Sequence, residues 1–396
     1  MTQPYTIRTT GRIAILAALA LASLASGQTH RITVHANQRV ASLEMTPAEY
    51  SSWKANDDFN DTKKRTALVQ DLYKTFRDEF DFIFLILNET EPPPDFEYYG
   101  ELISVSNAIQ GLGSRAFDET KAYGSGGRLK AVMALADYGA LAGGPSLHEL
   151  MHTWANFGIK VGGFEPAQGG GGTPIANYQP HWGFTGGNVA GQLGGFKQST
   201  LKTNVGGKPT KYQAEEFGQF ANGGNGVPYS EMELYLAGFI PAGQVTPFDV
   251  FRDITAYDYE AITWEAATRV RYDSTRILSE LGARSPAVAA AQKEFRLLVV
   301  VLNGAPLADS TWTRMDKDSE RFGRAGDDGT FLYNFWEATG GRGKMETGNL
   351  KNALINAAIF AARRPASYPW AGSWMGPWDL LGRQRGGIAP VLRVGK

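Results

Sequence analysis

Cysteine is absent from the 396-residue chain, which excludes disulfide staples and a lipid-modified N-terminal cysteine. An exported chain of this composition must therefore hold together through its core and any bound metal. Excess charge of either sign is also missing. With 39 Lys and Arg against 40 Asp and Glu the formal charge is −1, and no basic cluster occurs, so nucleic acid and anionic membrane surfaces are poor main partners. Histidine is scarce, at five residues. Beyond the N-terminus no apolar run approaches the length of a membrane span, and no repeat of fixed period occurs. What is present is the composition of an ordinary globular protein, 43% hydrophobic, with 47 glycines concentrated in loops. That length accommodates one large or two medium domains.

The N-terminus has the layout of an export signal. Arg8 and Arg12 supply a positive region, residues 13–24 an apolar core, and Ala25-Ser26-Gly27 a small-residue cleavage site before Gln28. A signal peptide over 1–27 predicts a periplasmic or secreted mature chain with no stable membrane insertion after cleavage; a retained signal anchor is the alternative.

The sharpest local pattern is His148-Glu149-Leu150-Met151-His152, an H-E-x-x-H arrangement. Residues four apart on a helix lie one above the other, so His148 and His152 can direct both imidazoles at one metal ion. Glu149 is turned aside from that face. There it is placed to take the proton of a water that a zinc ion activates, rather than to fill a coordination position. Gly144 as N-cap, Pro145 at the first helical position and an apolar stripe of Leu147, Met151 and Trp154 specify the helix and seat it on a core. The plainer alternative is a helix whose two histidines are merely packed or solvated.

Coarse patterning surrounds this motif with helices and strands. Apolar spacing predicts a helix over 66–80, followed by buried strands at 82–87, 102–105 and 128–136. Further along, a short helix spans 230–237, a strand 263–272, helices 274–281 and 286–295, a strand 297–302 and a helix 311–322. Residues 28–65 are weakly patterned, with Ile32 and Val34 as a short strand. Gly-rich loops at 162–172 and 183–195 follow the motif and suit a cleft rim or lid. The run Gly124-Ser125-Gly126-Gly127-Arg128 lacks the lysine and following helix of a phosphate loop and is a turn into the next strand.

A catalytic zinc usually has three protein ligands, so a third is needed. His30 and His35 lie at the start of the mature chain, whereas His181 sits between the two glycine loops. Glu233 is the alternative third ligand. Against it stands Ser230, which with Glu233 three residues on has the spacing of a capping box. Whichever of His181 and Glu233 is not a ligand could contact the developing oxyanion. Trp370, Trp374 and Trp378 form either an aromatic platform for sugar or peptide or, more simply, a clamp for the tail.

Around His148 to His152 the chain resembles zincin metallopeptidases, with a helix-and-strand layout over residues 66–240 that is similar to their N-terminal half. Segments HWGF (181–184), GQLGGF (191–196) and ELYLAGFIP (233–241) also look like exported bacterial zincin-type proteins of unassigned role. The resemblance implies an α+β fold, a metallopeptidase domain over 28–244 with a C-terminal subdomain over 245–396, and one Zn2+. It further implies hydrolysis of a protein or peptide substrate with Glu149 as general base, and a sheet strand along the cleft that pairs with an extended substrate. The competing expectation is a non-catalytic, zinc-containing module that binds a glycan or a protein.

Overall fold

A computed structural model describes residues 29–167 and 171–355. The expected signal peptide over 1–27 and the Trp370, Trp374 and Trp378 cluster lie outside the described residues.

The chain begins with β1 (Arg31–Val34), β2 (Ala41–Glu44), α1 (Pro47–Asn56) and α2 (Thr62–Tyr73). Then come β3 (Phe82–Leu87), β4 (Gly100–Ser104), β5 (Ala131–Leu135) and α3 (Ser146–Met151). After a long stretch of turns and short strand pairs follow β6 (Lys202–Thr203), β7 (Lys211–Gln213), α4 (Glu231–Ala237), β8 (Phe248–Asp258) and β9 (Thr263–Tyr272). The last elements are α5 (Ser274–Leu281), β10 (Glu294–Asn303), α6 (Asp309–Gly323), α7 (Phe335–Ala338) and β11 (Lys344–Glu346).

Local chemistry sets several of these boundaries. Pro47 occupies the first turn of α1, whose N-cap Thr46 accepts from the Glu49 amide, and Asp61 caps α2 by accepting from Lys63 and Lys64. Gly238, at φ 85°, ends α4 in the left-handed conformation that glycine adopts without a steric cost.

The main sheet has seven strands in the order β1-β2-β10-β3-β5-β4, with β11 beside β10. Neighbours from β2 to β5 pair in parallel, while β1 and β4 are antiparallel at the edges. Continuous apolar runs such as FIFLIL in β3 suit parallel strands covered on both faces. Phe82, Phe84 and Ile86 point to the side that carries α3, whereas Ile83, Leu85 and Leu87 point to the side that carries α1 and α2. A second, antiparallel sheet in the order β6-β7-β9-β8 encloses Phe184, Phe196, Phe251 and Trp264.

The mixed sheet packed on helices agrees with an α+β fold. Residues on both sides of position 244 build the main sheet, because β10 lies between β2 and β3. The expected helix over 286–295 does not form. Ser285 pairs with Gln110, a turn follows at Ala287–Ala290, and Glu294 already aligns with Lys344 of β11. Pairing into the sheet overrides the helical spacing of that segment. Among the described residues, no helix is long and apolar enough to cross a membrane.

Candidate metal centre

α3 is only six residues long, and its N-cap, Pro145, offers no capping side chain, so the helix starts one residue later than the expected cap at Gly144. The missing acceptor comes from a distant loop. Asn225, fully buried, accepts the Leu147 amide at 3.1 Å and donates to the carbonyls of Leu141 and Ala142. Tyr229 adds a hydroxyl bond to the Leu147 carbonyl at 2.9 Å. Sequence reasoning missed Asn225, since a cap that comes from 78 residues away leaves no local pattern. The apolar stripe behaves as expected: Leu147, Met151 and Trp154 are buried, and Trp154 packs against Phe82 of β3 and Phe295 of β10.

His152 lies just past the helix with φ −61° and ψ −11°, so the four-residue register holds through the last turn. Its Nε2 is 3.3 Å from Nε2 of His148, and Nε2 of His181 is also 3.3 Å from that atom. All three histidines bring a ligand nitrogen within 4.8 Å of one another. Two nitrogens each about 2.0–2.1 Å from a tetrahedral zinc are about 3.3–3.4 Å apart, so the trio fits such an ion. His148 donates Nδ1–H to the Gln192 carbonyl at 2.7 Å, which leaves the lone pair of its Nε2 facing the other two rings.

Burial dominates the electrostatics. It pushes His148 down to about 4 and, together with the charge of His148, His181 to about 3. His152 is depressed well below the usual histidine range by burial and by its two neighbours. Three imidazoles with no carboxylate among them could hold a metal ion rather than form a salt bridge.

Glu149 stands beside this group but not in it. Burial raises its pKa well above the ordinary carboxylate range, the charge of Glu101 adds to the rise, and a backbone hydrogen bond from Leu102 opposes it. The closeness of β4 depends on Gly100, where an added Cβ would come within 2.9 Å of Glu149 Cγ and 2.8 Å of Pro145 Cγ. Glu101, next along β4, keeps one buried carboxylate oxygen without a hydrogen-bond partner.

Glu233 is not brought into the trio. It closes the capping box with Ser230, and its two oxygens also accept from Trp182, Gln192 and Leu193. A carboxylate committed in this way has no lone pair directed at the metal position, nor is it free to meet an oxyanion. The glycine loop over 183–195 is likewise a support: Phe184, Thr185 and Leu193 are buried, and Asn222 ties Gly191 and Gly195 together. His30 and His35 are held elsewhere, His30 between Asp71 and Glu49, and His35 against Asp316 and Trp312. Asp327, Asp328 and Glu337 also converge, but Arg321 meets Asp328 and Glu337 caps α7.

No protein-family model, curated protein or solved structure matches the chain.

Proposed function

We propose that the chain is an exported, zinc-dependent metallopeptidase of zincin type, with His148, His152 and His181 as ligands and Glu149 as general base. The observation that carries this reading is the convergence of three imidazoles on one point, beside a buried glutamate that is not among them. When bound, zinc supplies Lewis-acid chemistry: it acidifies water and polarises a carbonyl. Glu149 accepts the proton of the attacking water and returns it to the leaving amine. Its raised pKa serves both steps, because a general base works best when its pKa lies near the working pH. β4 is the last strand of the sheet among the described residues and packs against α3, so an extended peptide that adds along it would lie across the trio.

The test compares wild type with Glu149→Gln. Gln keeps the size and hydrogen bonding of the side chain but cannot take a proton, so turnover of an unbiased peptide mixture should fall about 10²–10⁴-fold with zinc content and melting temperature unchanged. Zinc-loaded wild type that cleaves nothing across pH, or a variant that cleaves as fast as wild type, would leave the metal centre in a binding module.

A further inference from the structure

We infer that Glu233 is a positioning residue that holds two of the three histidines in register from behind. The inference rests on the metal-centre reading above, and on what this carboxylate touches. Oε1 accepts from Trp182 Nε1 at 3.1 Å and from the Leu193 amide at 2.8 Å, while Oε2 accepts from the Gln192 amide at 3.2 Å and the Ser230 amide at 2.7 Å. Each oxygen thus takes two donors. Only the Ser230 bond belongs to the capping box; a cap alone needs no more.

The other three bonds reach the segments that carry the site. The Gln192 carbonyl accepts from His148 Nδ1, and the Leu193 amide of the same peptide unit donates to Glu233, so one peptide unit separates the carboxylate from the group that sets the tautomer and tilt of His148. Trp182 follows His181 directly, and its own amide donates to the Leu193 carbonyl at 2.8 Å. Glu233 therefore fastens the His181 segment and the Gln192 loop to one rigid point on α4. Gly191 lets the loop come this close, since a Cβ there would be 2.5 Å from Oε2. A fully buried carboxylate with no cation among its hydrogen-bond partners is costly unless hydrogen-bonded on all sides, as here. Partners of this kind behind metal ligands typically change affinity 10–100-fold when altered.

The experiment titrates the full chain, stripped of metal, with Co2+ in competition with a chelator, and records the Co2+ absorption bands. Glu233→Gln presents an amide NH2 to two of the four donors, so it should raise the Co2+ dissociation constant about 10–100-fold and shift the bands. Ser230→Ala is the control: it removes the hydroxyl that caps α4 and leaves every bond to the Glu233 carboxylate. It should lower the melting temperature with dissociation constant and bands unchanged. Wild-type affinity and bands in Glu233→Gln would overturn the inference, as would Ser230→Ala moving them equally. Should Glu233→Gln not fold, Trp182→Phe decides, since it deletes one donor and keeps an aromatic side chain. Shifted bands in it support the inference and unshifted bands overturn it. A wild type that takes up no Co2+ removes the metal centre itself, a failure distinct from either of these.

Discussion

The five histidines divide into two groups whose surroundings differ in kind. His30 bridges Asp71 at 2.9 Å and Glu49 at 3.0 Å, and His35 meets Asp316 at 3.2 Å while stacking on Trp312. In each case an acid lies at the ring nitrogen. His148, His152 and His181 meet one another instead, with only backbone carbonyls at Nδ1 of His148 and His152. A carboxylate partner ties elements together through the ring and occupies its nitrogen. Burial without one keeps the ring neutral and its lone pair free, which is the state a metal requires.

The strongest way to break this division is to remove a ring from the second group. His148→Ala or His152→Ala should abolish metal uptake, and His181→Ala should lower it strongly, because a tetrahedral site with few protein ligands loses most of its affinity with any one of them. Metal analysis of the purified variants is the readout. Full occupancy without His181 would dissolve the trio.

The same substitution in the first group should do the opposite. His30→Ala removes one of several partners of the buried Asp71, which keeps Lys74 and the Thr29 and His30 amides, so it should cost about 0.5–1.5 kcal/mol and leave zinc occupancy as in wild type. Urea denaturation with parallel metal analysis separates the two effects. Asn225→Ala should fall between the groups. It removes the acceptor of the Leu147 amide and is expected to cost about 1–2 kcal/mol, as loss of a helix cap does, with metal affinity reduced because α3 frays at its start.

The remaining expected effect is one of pH. An unfolded histidine titrates near 6.5, whereas burial holds His148 at about 4 and His181 at about 3 in the folded, metal-free chain. Below 6.5 the unfolded chain binds protons that the folded one refuses. The contribution of these rings is therefore fully present above about 6.5 and is lost as pH falls through about 4 and 3. Melting temperatures of metal-free protein from pH 7 to pH 4 check this. A His148→Gln, His181→Gln double variant should show a flatter profile.

His148 and His152, the glutamate beside them and the apolar stripe were legible in the sequence because they depend on helical spacing alone. Strands β3 and β9 were legible for a similar reason, since their composition and alternation are local properties. His181 was nominated by its position between two glycine loops, but its distance to His148 depends on how those loops pack. Glu233 had two readings, ligand and cap, that share one spacing. The sequence determined that His148 and His152 would share a helix face. Only the tertiary structure decided that His181 would meet them, that β10 would enter the sheet between β2 and β3, and that Glu233 and Asn225 would stand behind the site. The reason is physical: a helical register acts over one turn, whereas those placements come from buried hydrogen bonds and packing between segments tens of residues apart, which no local pattern encodes.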